Sequence, residues 1–188
     1  MKQLKAIAFG LAFSLLSSGA FAAKVGGVEL PDQFATDDSS LELNGAGVRK
    51  KFFMSVYVAA LYLSEASNDG NSIATAADPM NMKLVITSGL VSREKMIATI
   101  VEGFEKASGG DLSAIQSDLD QFIAVFADGV SKGDMFDFSY DPDSGLHTLR
   151  NGSEVSVISN PAFKETLFGL WLSDRAVDAG LRKKLLGK

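Results

Sequence analysis

Arg49, Tyr57 and Tyr62 are the side chains of this sequence best suited to holding an anion. All three fall in one stretch, LELNGAGVRKKFFMSVYVAALYLS, residues 41–64. Arginine is always charged, and its planar fork matches a carboxylate or an enolate-like oxygen. Set between glycines and an apolar strand, Arg49 could anchor an anionic head beside an apolar space. It could equally form a structural ion pair, or face solvent within the run Arg49-Lys50-Lys51, since charge runs are usually solvated. A buried phenol needs a hydrogen-bond partner, which could be a ligand or the protein itself. Tyr57 and Tyr62 are five residues apart, so on one unbroken strand they face opposite sides.

Other chemistries find little support. The sequence has no cysteine and one histidine, His147. Thiolate zinc, iron–sulfur clusters, cysteine nucleophiles and multi-histidine metal sites are therefore excluded. A catalytic Ser-His-Asp unit would have to be built on His147. That residue lies beside a turn, where a surface histidine is expected rather than a metal ligand. Asp118 and Asp120 read as the wet face of a helix, not as an acid/base pair. The glycines of NGAGVR lack the third glycine of a dinucleotide fingerprint, and a strand follows where a helix is needed. Phe168 and Trp171 read as core. No cofactor and no metal are expected.

The elements around these residues follow from spacing. Lys24–Leu30 reads as a first strand stopped by Pro31, with a polar, turn-rich segment over Asp32–Ser40. Leu41–Leu43 begins a second strand, which Asn44-Gly45-Ala46-Gly47 interrupts with a bulge, a bend or a close backbone approach. Val48–Leu63 is β-branched and aromatic, and is expected as one central strand, or two with a bend, with Arg49 in the turn before it. Glu65–Met80 is loop-like and Met82–Thr87 a strand. Ser92 caps a helix to about Ala107, with Met96, Ile97, Ile100, Val101 and Phe104 on one face. Asp111 is expected to cap a second helix with the stripe Leu112, Ile115, Leu119, Phe122, Ile123 and Phe126. Asp134–Ile158 reads as a three-strand meander, with Asn151-Gly152 a hairpin turn. Asn160-Pro161 starts a helix to Leu172, and Ser173-Asp174 a last one to Leu186. Strands and helices in separate blocks argue for an α+β fold on a mainly antiparallel sheet.

Residues 1–22 have the layout of a cleaved secretory leader: Lys2 and Lys5, an apolar run, then Ala20-Phe21-Ala22. Cleavage after Ala22, or alternatively after Ala23, is expected, which would make the protein periplasmic or secreted. Residues 23–188 would form a single domain. Without Lys2 and Lys5 the charge falls from −5 to −7. An acidic balance of this size argues against nucleic acid and against anionic lipid headgroups. No apolar run after the leader is long enough to span a bilayer.

GAGVR followed by VYVAALYLS resembles the chalcone isomerase fold family, most closely its bacterial exported branch. Ser92-Arg93-Glu94-Lys95-Met96, Ile158-Ser159-Asn160 with Ala162, Asp174-Arg175-Ala176-Val177 and Leu181-Arg182-Lys183 carry the resemblance along most of the chain. It implies an open-faced β-sandwich: a large antiparallel sheet, a layer of helices, and a cleft between them. In the plant enzymes of this family an arginine of the GAGVR turn stabilises a phenolate and the developing enolate, and Arg49 matches it. The remaining catalytic positions differ. Tyr57 stands where a threonine is expected, Val91 for a tyrosine, Ala98 for an asparagine, and Leu170 for a serine or threonine. Such a cleft lacks donors that orient substrate and water. An arginine–tyrosine pair in an apolar cleft instead resembles the fatty-acid-binding members of the fold. Three functions follow as expectations. One is a periplasmic binder of a small lipophilic carboxylate or phenol, held by Arg49 and Tyr57 in a cleft lined by Val91, Ala98 and Leu170. Another is an isomerase or intramolecular lyase for a chalcone-like or other enone, using Arg49 and Tyr57. The third is a ligand-free envelope interaction protein.

Overall fold

The computed structural model describes residues 23–35, 40–51, 53–89 and 92–188. The expected leader over residues 1–22, and Val91, lie outside them. At the start of the chain Gly26 and Gly27 adopt φ of 58° and 85°, which side chains rarely tolerate. They turn the chain between β1 (Ala23–Val25) and β2 (Val28–Leu30), so the single expected strand is a small hairpin. A further short strand, β3 (Gln33–Ala35), follows where only turns were expected, and pairs with β4 (Ser40–Lys51).

The glycine segment does not end β4. Asn44 is bulged out of register between Leu43 and Gly45, and the ladder continues to Lys51. The chain turns after Lys51 and returns as β5 (Met54–Leu63). What reads in sequence as one long apolar strand is thus the end of one strand, a turn containing Phe53, and a second strand. Arg49 therefore sits on a strand, not in a turn, and is the ladder partner of Tyr57.

The expected loop after β5 contains a short helix, α1 (Gly70–Thr75), whose Ser72 N–H is accepted by the Asp69 carboxylate. The sheet continues through β6 (Met80–Ile86), β7 (Met135–Asp141), β8 (Gly145–Arg150) and β9 (Ser153–Ile158). Strands β3 to β9 lie in sequence order, and every neighbouring pair is antiparallel. Asn151 and Gly152, both at positive φ, make the last hairpin turn as expected.

One face of this curled sheet carries helices. The first long one is α2 (Arg93–Ser108), capped by Ser92 and closed by Gly109 at φ 79°. It precedes α3 (Gln116–Ala124). Asp111 does not cap α3; its carboxylate binds Ser113 N and Oγ in a turn, and the helix begins five residues later. Ile115, Leu119, Phe122 and Phe126 are nevertheless buried as their spacing requires. Asn160 and Pro161 start α4 (Pro161–Leu172), the most apolar helix, which is buried against the sheet. The last helix, α5 (Ala179–Leu185), starts at Asp178 and not at Ser173.

Side-chain alternation divides the core in two. Tyr57, Ala59, Leu61 and Leu63 of β5 face the helices, with Met82, Leu84, Phe136 and Phe138. Val58, Ala60 and Tyr62 face the other way, under the β1–β2 hairpin and Phe34. Among the described residues no helix is long and apolar enough to cross a membrane.

Candidate functional site

The glycines of β4 determine where the site lies. Gly45, Gly47 and Arg49 share the helix-facing side of the strand. A Cβ on Gly45 would collide with the Lys184 carbonyl, and one on Gly47 would come within 2.9 Å of Leu181 and Lys184. Their bare backbone lets α5 lie directly on β4. Asn44, displaced by the bulge, fastens the far end of α5 by donating to the Leu185 carbonyl at 2.8 Å. The start of α5 is thereby delivered to Arg49.

There Asp178 Oδ2 accepts from Arg49 Nη1 at 2.7 Å, with each side chain about one-fifth exposed. Asp178 Oδ1 accepts from the N–H groups of Gly180 and Leu181, capping α5. Partial burial pushes the Asp178 carboxyl up, but the Leu181 N–H, the Arg49 guanidinium and the Gly180 N–H together hold it below its usual value. Arg49 Nη1 donates to both Asp178 and the Lys50 carbonyl, and the guanidinium also hydrogen-bonds the Tyr57 hydroxyl. A guanidinium has five N–H donors, so these contacts do not exhaust its capacity.

Across the ladder, the Tyr57 hydroxyl accepts from Trp171 Nε1 at 2.9 Å. Burial raises its pKa, and the Trp171 bond and the nearby Arg49 charge only partly offset this. The phenol therefore stays protonated. Having accepted from Trp171, it keeps its own hydrogen to donate.

Two spaces meet at Tyr57. The outer one is a mouth of about 480 Å³ between the β4–β5 hairpin and α2. It is lined by Arg49, Lys51, Met54 and Tyr57 on one side and by Lys95, Ala98, Thr99 and Glu102 on the other. The four α2 residues are spaced 95, 98, 99 and 102, one helix face. The inner one is a cavity of about 70 Å³ walled almost wholly by apolar side chains, among them Leu84, Ile86, Ile100, Phe122, Phe126, Phe138 and Leu170. Tyr57, Met96, Thr99 and Val177 belong to both. A void of this size in a packed core forgoes roughly 2 kcal/mol of contact energy if nothing occupies it, and an apolar one stays dry. The arrangement offers a cationic, hydrogen-bonding entrance and a greasy interior on one path.

Of the residues named from sequence, Arg49 and Tyr57 are brought together, Ala98 lines the mouth, and Leu170 lines the inner cavity. Tyr62 is on the opposite face, its hydroxyl donating to the Pro31 carbonyl at 3.0 Å. His147 is tied to Glu154 and Ser144 on the meander, and Asp118 and Asp120 bind Asn160 and Gln116. Among the described residues no three His, Asp or Glu side chains cluster around a possible metal ion. Sequence reasoning missed Asp178 and the polar role of Trp171. A buried indole N–H needs an acceptor, which was the available signal for Trp171. Asp178 lay inside a stretch read as continuous helix.

The family model described as chalcone isomerase-like matches residues 22–187. No curated protein matches the chain. Among solved structures, a fatty-acid binding protein of Arabidopsis thaliana superposes with a TM-score of 0.68 at 18% identity, over 85% of this chain and 92% of that one. At that identity the likeness speaks for the fold alone. With nearly all of its sequence after residue 21 matched, the chain belongs to the chalcone isomerase-like family.

Proposed function

We propose that the protein binds a small amphipathic acid of the fatty-acid kind, without transforming it. The observation that carries this reading is the shared wall at Tyr57. It joins a mouth holding Arg49 to an apolar cavity behind it. The acid's carboxylate would take the Arg49 guanidinium and the Tyr57 hydroxyl hydrogen, and its tail would lie in the mouth with its end reaching the inner cavity. The superposable Arabidopsis protein being a fatty-acid binder supports the same ligand class. The N-terminal leader pattern supports a periplasmic or secreted site of action.

The isomerase alternative has less to stand on. Ala98 and Leu170 bring no donors to the cleft, and the Thr99 hydroxyl donates at 2.8 Å to the Lys95 carbonyl of its own helix. The polar groups that would orient an enone and a water are thus few.

The test is extraction and native mass spectrometry of the exported protein, with displacement of a fluorescent fatty acid by palmitate. Arg49→Lys and Arg49→Ala are compared with the parent. A co-purifying acid that is lost in Arg49→Ala would bear the reading out. Absence of any bound species, with no palmitate binding, would sink it. Cyclisation of a chalcone that disappears in Arg49→Ala would revive the isomerase.

A further inference from the structure

The tip of the β4–β5 hairpin is unlike the rest of the surface. It reads Lys50-Lys51-Phe52-Phe53-Met54. Phe53 is fully exposed, Met54 is nearly half exposed, and Lys50 and Lys51 stand exposed beside them. The other large exposed apolar side chains among the described residues, Met135, Val155 and Val157, belong to β7 and β9, away from this hairpin. A scattered valine on a strand is ordinary, but a whole phenyl ring exposed at a turn that follows two lysines is a contact waiting for a partner.

The partner's chemistry follows from two facts. First, the tip and the mouth are one structure: Lys51 and Met54 line the mouth beside Arg49. Whatever the tip touches is what the mouth opens onto. Second, charge is segregated. The chain is acidic as a whole, which repels an anionic surface. Yet Arg49, Lys50, Lys51 and Lys95 gather at the mouth and its hairpin lip, against Asp178 and Glu102. An aromatic ring beside lysines is the composition that settles at a bilayer interface, with the ring below the headgroups and the cations among them.

We propose that the β4–β5 hairpin tip docks reversibly on a bilayer containing anionic lipid. Phe53 inserts at the headgroup boundary, and Lys50 and Lys51 meet the headgroup phosphates. The mouth then faces the phase in which an amphipathic acid resides, and the acid moves between bilayer and cleft without crossing bulk water. This rests on the acid-binding reading above. Whole-chain charge obscures the site because it sums acids over the entire chain, whereas screening confines each charge's effect to roughly 10 Å at 0.1 M salt.

The experiment uses flotation of the protein lacking its leader with dioleoylphosphatidylglycerol or dioleoylphosphatidylcholine vesicles. Transfer of a fluorescent fatty acid from each is followed, and palmitate affinity is measured separately without vesicles. The parent should float with the anionic vesicles, less with the zwitterionic ones, and come off in high salt. Phe53→Ser should weaken association about tenfold and slow transfer in proportion. Lys50→Gln should weaken it about fivefold, the usual contribution of one lysine near an anionic surface. Neither residue lines the cleft, so both variants should bind palmitate in solution as the parent does. No association at low salt, or association of Phe53→Ser equal to the parent's, overturns docking even if palmitate binds. Loss of palmitate binding in the parent, with vesicle association intact, sinks the acid reading and leaves docking standing.

Discussion

Asp178 occupies Arg49 in the way a ligand carboxylate would, with Oδ2 held 2.7 Å from Nη1, while its other oxygen caps α5. The chain thus carries its own carboxylate at the position the proposed ligand's would take. Any acid entering the mouth must share the guanidinium with this carboxylate or displace it. The pair is only partly exposed, so its charges are screened less than those of a surface ion pair.

Replacing Asp178 separates its two tasks. Asparagine caps a helix about as well as aspartate but carries no charge. Asp178→Asn should therefore keep the fold and bind palmitate more tightly, by about tenfold, or ~1.4 kcal/mol. Asp178→Ala should gain affinity similarly but lose ~1 kcal/mol of stability with the cap. Because the carboxyl titrates below its usual 3.8, its stabilisation is complete above that value and is lost as pH falls through the lowered one. Urea midpoints of parent and Asp178→Asn should accordingly converge only in strong acid. A fall in affinity in Asp178→Asn would mean instead that the acid is needed to aim Arg49.

Tyr57→Phe keeps the ring and removes the hydroxyl. The ligand loses one donor, so affinity for palmitate should fall by about tenfold, within the range of a hydrogen bond to a charged group. The Trp171 N–H loses its acceptor, and stability should drop by ~1–3 kcal/mol. Trp171→Phe removes the other end of the bond and leaves the phenol in place. Titration calorimetry should then find its affinity closer to the parent's than to that of Tyr57→Phe. Equal losses in the two variants would place the effect in the packing of the pair, not in a bond to the ligand.

Leu170 is 6% exposed and walls the inner cavity. Truncating a leucine that already borders a void leaves fewer contacts to lose, so Leu170→Ala should sit near the low end of such changes, ~2–3 kcal/mol. The enlarged cavity should accept a longer or branched tail. Ranking saturated acids by displacement should move the best chain length upwards in Leu170→Ala. An unchanged ranking would show that the tail lies in the mouth and does not reach past Tyr57.

Local signals in the sequence were good guides and long-range ones were silent. Ser92, Asn160-Pro161 and Asn151-Gly152 each mark their element because capping and turn chemistry act within a few residues. Arg49 and Tyr57 were legible as candidates from residue type and from the family pattern. Their adjacency was not, because Phe53 reads as strand by composition while the chain turns there. Asp178 could not be found as the partner of Arg49 at all. It is 129 positions away, and only the bare backbone at Gly45 and Gly47, which lets α5 settle on β4, brings the two together. The basic tip was lost in a whole-chain sum dominated by acids.

Lys164 provides a test of the core that is independent of the cleft. It is 2% exposed, and its ammonium donates to the carbonyls of Ala74, at 3.0 Å, and Ala76, closing the end of α1. It also lies 4.4 Å from the centre of the Tyr140 ring. Burial lowers its pKa from 10.5, and the nearby Glu165 and Asp78 charges only partly resist. The folded state then binds fewer protons than the unfolded one between the lowered value and 10.5, so stability should rise with pH across that window. Tyr57 and Tyr62 act in the opposite sense, since burial raises both phenols above 10.0. Above that value the unfolded chain loses their protons first, and stability falls. Urea unfolding through the alkaline range should show a rise and then a decline. Lys164→Met should flatten the rise, and Tyr62→Phe, which does not touch the cleft, should soften the decline. A rise that persists in Lys164→Met would mean that another group is its source.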